Sequence, residues 1–399
     1  MGILVINAGS SSLKLSFFKQ DAGTAAALAE SKPGETIIIP DWDQTIDLSK
    51  DGDRADVHKE FLRATLSALW QGESAILNSP DEIKAVGHRV VHGGPKYASS
   101  VLVTDEVISD LKSYHDLDPV HEPANTRGIE DAREILPDAK HVAVFDTAYH
   151  HNMPLSSQVY AGPYSWYEDR QIRRFGFHGI NHDYCTRRVV KLLEQTSRGL
   201  SFADKSRVIT CHLGGGASLC ASLNGHSQMT TMGYTPLEGL MMCTRSGSID
   251  PGLIFILLKQ GYSQNELYEV LNKSSGLAGV SGVGGDLRLV QQAINEGNER
   301  AKLAFDIYTQ GLSSSIAALI PYLGGLDALV FSGGIGEHSP AVRQAACDRL
   351  AFAGIQIDPE RNLASEKERD ISAPKAAVRT FVIAAGEEAA IASECDKFL

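Results

Sequence analysis

The chain has 399 residues, 43% hydrophobic and 22% charged, an ordinary globular composition too long for one simple core, so two domains are expected. A formal charge of −12 argues against a nucleic-acid-binding surface, which would need a basic stripe, so an anionic substrate would have to be caught by a few locally placed arginines. No apolar run is long enough to span a membrane, Met1 leads almost at once into a core-like strand with no room for a signal peptide, and six cysteines without a C-x-x-C pair fit a reducing cytoplasm.

Strands and helices alternate along the chain, which predicts the α/β class. Residues 3–6 and 13–18 read as the two strands of a hairpin around "NAGSSS" (7–12), and 35–40 as a short strand, followed by a polar, acidic surface stretch through Asp53. A helix is expected over 57–69, with Phe61, Leu62, Leu66 and Leu69 at helical spacing. Residues 84–91 form a strand ending in Gly93-Gly94, Pro123 starts a helix running to Ile135, and 140–145 is a buried strand with Asp146 at its C-terminal end. A second part begins near His150. Its strands are 208–213 and 217–223, joined by Gly214-Gly215-Gly216, and Asn224-Gly225 signals a type I′ hairpin into a third. Asp250-Pro251 caps a helix, and two more run over 287–295 and 299–319. A strand at 326–331 enters the glycine-rich loop "SGGIGE" before a helix near Pro340; 378–384 is the last strand and 387–396 the last helix.

Several of these segments carry chemistry. Backbone N–H groups at a tight glycine-rich turn can converge on one anion, and at the first hairpin Ser10 to Ser12 add hydroxyls and Lys14 a charge suited to phosphate. Taken alone, that turn reads equally as a plain hairpin. "HLGGGAS" (212–218) is a second such turn, and a pair of phosphate-gripping loops is one reading of the echo. "SGGIGE" follows a strand in the manner of a nucleotide loop or of a simple sharp turn, and it is not G-x-G-x-x-G. Arg89 and Arg245 stand beside small residues, where a guanidinium reaches a carboxylate or phosphate bidentately, or forms an ordinary salt bridge. Asp146 has either a catalytic or a capping role. His178 and His182 have an i, i+4 zinc spacing, but Gly176 and Gly179 argue against a helix through His178, so a hydrogen-bonding or transition-state role for His178 is favoured over zinc.

Taken together, "VINAGSSSLK" (5–14), "GHRVVHGG" (87–94), "VFDTAYH" (144–150), "FGFHGINH" (175–182), "CHLGGGAS" (211–218), "MGYTPLEGLMMCTRSGSIDPG" (232–252), "GDLR" (285–288), "FSGGIGE" (331–337) and "GEEAAIA" (386–392) resemble the acetate kinase family, in family order along essentially the whole chain. The resemblance implies two ribonuclease-H-like (actin-like ATPase) domains around a central cleft: residues 1–149 completed by the C-terminal helix 387–399, and a nucleotide-binding domain over 150–386. It implies a homodimer and a transferase carrying out reversible, Mg²⁺-dependent phosphoryl transfer from ATP to acetate, giving acetyl phosphate and ADP, with Mn²⁺ as a substitute metal. By the same resemblance Asn7 and Glu387 are the magnesium-associated positions, Lys14 contacts phosphate and Arg89 holds the carboxylate. Asp146 is the essential aspartate, and His178 and Arg245 stabilise the transferring phosphoryl group. Nucleotide-binding segments are His212, Leu213, Gly214, Gly215 and Gly216; Asp286, Leu287 and Arg288; and Gly334, Ile335, Gly336, Glu337 and His338. Val91, Val120, Phe177 and Pro236 line the acyl pocket.

The departures are specific. Gly215 stands where the family has asparagine, His338 ends "GIGEH" in place of "GIGEN", Cys243 and Ser248 alter "GTRSGDIDP", and Val120 and Glu122 alter "LHNPAN". Loss of the loop asparagine removes a side-chain donor near the phosphates, and Val120 in place of leucine leaves room for about one more methylene, so propionate is the alternative acceptor. A non-kinase actin- or Hsp70-like ATPase is the alternative from another class; Arg89, Asp146, His178 and Arg245 together argue against it.

Overall fold

The computed structural model describes residues 2–8, 12–19, 42–47, 55–72, 75–115, 117, 122–194 and 206–399. The expected strand at 35–40, the tip of the first turn (Gly9 to Ser11) and Val120 lie outside these residues. Two compact units emerge: Met1–His151 with His178–Tyr184 and Gly386–Leu399, and Asn152–Phe177 with Cys185–Ala385.

The first unit is built on strands β1 (Gly2–Ala8), β2 (Ser12–Lys19), β3 (Trp42–Asp47), β4 (Ile83–Val90), β5 (Val101–Leu102) and β6 (Lys140–Phe145), ordered β3-β2-β1-β4-β6-β5. The first three form an antiparallel meander, β1, β4 and β6 run parallel, and β5 closes the edge antiparallel to β6. Ile3, Leu4, Val5 and Ile6 are all buried because β1 is covered on both faces. Leu4 and Ile6 join Leu62, Leu66, Leu69 and Ala132 in one core layer. Ile3 and Val5 point the other way, into a layer with Ile180, Ile391, Ala392 and Cys395. The C-terminal helix Glu387–Asp396 thereby packs on the strands laid down first.

Two sequence expectations change here. The polar stretch before Asp53 contains β3, because pairing with β2 is a backbone property that needs no apolar alternation. Phe61 is 40% exposed: the helix Ala55–Ser67 turns Leu62 and Leu66 inward, and Phe61, one position earlier, is rotated about 100° away from that stripe.

The second unit repeats the plan. Its strands β7 (Arg207–Leu213), β8 (Ala217–Leu223), β9 (His226–Thr230), β10 (Ala328–Ser332), β11 (Glu368–Asp370) and β12 (Arg379–Ile383) are ordered β11-β12-β10-β7-β8-β9. Again a three-stranded meander is followed by two parallel strands and an antiparallel edge strand. Asn224 (φ 53°) and Gly225 (φ 79°) make the predicted I′ turn. The helix expected over 299–319 continues as Glu299–Leu323 through Pro321 and stops at Gly324, which is left-handed at φ 66°. The segment predicted as a glycine-rich loop is itself a short helix, Gly333–His338, starting directly from β10.

On β4 and β6 a histidine pair is buried. His141 Nε2 lies 3.0 Å from the Leu136 carbonyl and donates to it, so His141 Nδ1 accepts from His88 Nε2–H at 3.0 Å. Burial pushes His88 well below its ordinary range, with His141 adding to the effect, and burial also lowers His141. A pair kept neutral contributes stability that is present above the unfolded pKa of about 6.5 and lost below it, at most about 2 kcal/mol per histidine by pH 5. Urea-unfolding stability is therefore expected to fall between pH 7 and pH 5, and His88→Gln to flatten part of that slope. An unaltered slope in the variant would refute this assignment.

Candidate active site

In the first unit the polar residues gather at the C-terminal ends of its parallel strands, where open α/β sheets place ligands. Asn7 lies near the end of β1, Arg89 near the end of β4, and Asp146 directly after β6. Arg89 donates from Nε (3.1 Å) and Nη2 (2.6 Å) to the same oxygen of Asp146, Oδ2. Its Nη1 is 3.4 Å from Asn7 Oδ1 and 3.9 Å from the Glu387 carboxylate, at the start of the C-terminal helix. Lys14, opposite Asn7 in the β1–β2 register, pairs with Glu388 at 2.6 Å. Burial works against the charge of Arg89, but Asp146, Glu387 and Glu388 outweigh it and hold the guanidinium above its ordinary range. Burial raises the Asp146 carboxyl, with Arg89 opposing and Glu387 adding to the rise. Asp146 Oδ1 is buried and finds no hydrogen-bond partner among the described residues.

His178 joins this cluster through its backbone, which hydrogen-bonds the Asp146 carboxyl, and it holds a left-handed φ of 57°, sparsely populated for a residue with a side chain. Gly179 opens the helix Gly179–Glu194 rather than breaking it, donating its N–H to the Asp146 carbonyl at 2.8 Å. The strand ends are stapled by residues to which sequence reasoning assigns no site role, Glu122 standing out there only as a departure from the family pattern. Buried Asn125 accepts from the Val91 N–H (2.9 Å) and donates to the Ala8 carbonyl (2.6 Å), tying the ends of β1 and β4 together. Glu122 accepts from His92 N and Thr147 from Gly93 N, fixing the turn that follows half-buried Val91.

In the second unit His212 and Leu213 end β7, and the turn Gly214–Gly216 closes on a 2.9 Å Gly214 N–H to Gly216 carbonyl bond. Nothing within 4 Å would obstruct a Cβ at Gly215 or Gly334, so packing does not demand glycine there and the backbone lies open to a ligand. Cys243 reaches that turn by its backbone N–H (to Gly215, 3.4 Å) and its thiol (to Gly214, 3.5 Å). Two residues on, Arg245 donates to the Pro236 carbonyl at 3.3 Å. The Arg245 loop rests on the helix Gly276–Ser281: Leu277 N bonds Met242 O and Ala278 N bonds Cys243 O, each at 2.9 Å. Gly276 has φ 63°, and a Cβ there would overlap the Met242 and Arg245 carbonyls.

The helix Gly333–His338 is held from below by Arg343, a fully buried arginine. It donates to the carbonyls of Gly336 (2.7 Å) and Glu337 (2.9 Å) and to Asn362, and burial lowers it to about 10. Gly334 and His338 are exposed and Ile335 half-buried, while the Glu337 carboxylate accepts from Ala385 N. Asp286 caps the helix Leu287–Asn295 and pairs with solvent-exposed Arg288 at 2.6 Å, whereas the Leu287 side chain is buried in the core. The predicted residues thus fall into two sets. Asn7, Lys14, Arg89, Val91, Asp146, His178 and Glu387 belong to the first unit, and Phe177, His212–Gly216, Pro236, Arg245, Asp286–Arg288 and Gly334–His338 to the second.

A meander followed by parallel strands, present twice in one chain, defines the ribonuclease-H-like, actin-like class of ATPases and kinases. The family model described as the acetokinase family matches residues 2–393. The chain is 46% identical to an acetate kinase of Cyanothece sp. (strain PCC 7425 / ATCC 29141), covering 99% of this chain and 98% of that one. It is 47% identical to an acetate kinase of Synechococcus sp. (strain JA-2-3B'a(2-13)), covering 100% and 99%. Among solved structures it is similar to the Porphyromonas gingivalis acetate kinase (36% identity, TM-score 0.85, 99% of both chains). It is also similar to a propionate kinase from Francisella tularensis subsp. tularensis SCHU S4 (35% identity, TM-score 0.84, 99% of both chains). This chain belongs to the acetokinase family.

The glycine brace yields a direct test. Gly276→Ala is expected to cost about 2 kcal/mol or more in unfolding free energy, through backbone strain and displacement of the Arg245 loop. A melting temperature within a degree of the parent's would remove Gly276 from that role.

Proposed function

We propose that this chain is an acetate kinase, transferring the γ-phosphoryl group of ATP reversibly to acetate to give acetyl phosphate and ADP. The observation that carries the reading is the Arg89–Asp146–Asn7 cluster at the strand ends, in a chain similar over its whole length to acetate kinases. Acetate is already ionised at neutral pH, so its oxygen attacks phosphorus without a general base. Asp146 acts instead by orientation: it takes the Nε and Nη2 donors of Arg89, which aims the guanidinium and leaves Nη1 toward the acceptor carboxylate. A loose transition state needs positioning and neutralisation of the equatorial oxygens, roles assigned here to Arg245 and His178. His212 to Gly216, Asp286 to Arg288 and Gly334 to His338 would bind the nucleotide, the open glycines offering backbone N–H groups to its phosphates.

Magnesium fits the residues present. The unpartnered, buried Asp146 Oδ1, the Glu387 carboxylate and Asn7 Oδ1 are the hard oxygen donors it prefers. No group of three or more His, Cys, Asp or Glu side chains suited to a metal occurs among the described residues, and an ion held largely by water and phosphate needs none. These three residues would hold it, and it would offset phosphate charge. Propionate is a second acceptor on this reading, favoured by the likeness to a propionate kinase structure and by the valine at position 120. We place the enzyme in the cytoplasm, where ATP is made and its six cysteines, none of them in a disulfide, stay reduced.

A homodimer accounts for an unusual surface. The helix Pro251–Lys259 has no buried residue, yet it carries Leu253, Ile256 and Phe255, the last 66% exposed, and Ile249 and Tyr262 beside it are exposed too. We assign that face to a second copy. Phe255→Glu is expected to convert the protein to a monomer in light scattering, and a dimer of unchanged dissociation constant would place the interface elsewhere. For the chemistry, Arg245→Ala should lower kcat by about 10²-fold or more in a hydroxamate assay of acetyl phosphate, with ATP KM changed far less. Unchanged turnover would rule out its part in the transition state.

A further inference from the structure

The second unit contains a polar network that none of the roles above uses. Tyr160 donates its hydroxyl to one carboxylate oxygen of Glu238 at 2.5 Å, and Arg174 Nη2 donates to the other at 2.6 Å. Arg174 Nη1 faces the carbonyls of Thr230, Thr231 and Met232 at 3.3, 3.2 and 3.1 Å, and its guanidinium lies over the Tyr160 ring. The Tyr160 oxygen also accepts from the backbone N–H of Tyr234 at 2.8 Å. Between the two arms, Phe175 and Gly176 donate their N–H groups to the Gly233 carbonyl at 3.0 and 3.1 Å. A side chain at Gly233 would strike the Glu238 carboxylate and the Tyr160 hydroxyl.

The placement of this network matters because no helix or strand spans residues 231–250. Isolated bonds, not a ladder, therefore set the path of Pro236: the Tyr160, Arg174 and Glu238 side-chain bonds, together with the two backbone bonds to Gly233, register it against the segment leading to Phe177. The Pro236 carbonyl in turn receives Arg245. Burial and the Glu238 carboxylate push the Tyr160 phenol upward, so it remains a donor throughout the physiological range. Charge-assisted bonds of this kind hold geometry more tightly than neutral ones.

We propose that Tyr160, Arg174 and Glu238 are positioning residues that set acyl-chain-length preference by fixing Pro236 against Phe177. The proposal rests on the reading of Phe177 and Pro236 as acyl-facing residues. The test compares kcat/KM for acetate, propionate and butyrate with ATP in the parent, Tyr160→Phe and Glu238→Gln. Both variants nearly preserve shape: Tyr160→Phe removes the hydroxyl that donates to Glu238 and accepts from the Tyr234 N–H, and Glu238→Gln removes the charge. The expected result is a shift of the propionate-to-acetate kcat/KM ratio by about fivefold or more toward the longer acid, with ATP KM within about twofold. Equal losses for all three acids, or a lowered melting temperature with the ratio unchanged, would overturn the proposal. If the parent forms no acyl phosphate from any of the three acids, the functional reading beneath it fails instead.

Discussion

The buried contact between Arg89 and Asp146 organises the first unit's site. Taking two charges out of water costs several kcal/mol per ion, recovered only if their geometry is good and the remaining donors and acceptors are used. Here both guanidinium bonds fall on one carboxylate oxygen, and the other oxygen is left without a partner among the described residues. A fold selected for stability alone would satisfy that oxygen. Leaving it open is consistent with a site whose complement is completed by a ligand, while Asn7 and Glu387 approach the same arginine from its Nη1 side. The surrounding staples, Asn125 above all, then read as devices that keep two strand ends at the spacing this ion pair requires.

The second unit supports its glycine turns chiefly through backbone carbonyls. Its meander and parallel strands copy the order of the first, so the turn between β7 and β8 occupies the place that the turn between β1 and β2 has in its own sheet. What differs is the support. Arg343, with no carboxylate among its hydrogen-bond partners, satisfies the carbonyls of Gly336 and Glu337, and Cys243 and the Gly276 helix hold the loop that carries Arg245. Glycine serves two opposite purposes there. At 215 and 334 it leaves space that no described residue fills, whereas at 233 and 276 it is required because neighbouring atoms already occupy the Cβ position.

Much of this was legible in the sequence. Apolar runs marked β1 and β10 and the shorter apolar stretches of β6 and β7, since strands covered on both faces are largely apolar, while β4 carries Lys84, His88 and Arg89 among its apolar residues. Asp250-Pro251 and Asn224-Gly225 marked a cap and a turn through local backbone preferences. The misreadings share a cause. β3 exists because a neighbour pairs with it, the segment 333–338 is helical because Arg343 and β7 hold it, and Phe61 points outward because of where the helix docks.

Motif chemistry told which residue types stand at strand ends and which family the whole chain resembles, because a strand's period and a turn's glycine are properties of neighbours in sequence. Which polar residues meet was decided by the tertiary structure alone. Arg89 finds Asp146 across 57 residues, Asn125 finds Ala8 across 117, and Arg174 finds Glu238 across 64. Such pairings depend on strand order and register, which arise from burying two faces of one sheet at once, and no local pattern encodes them.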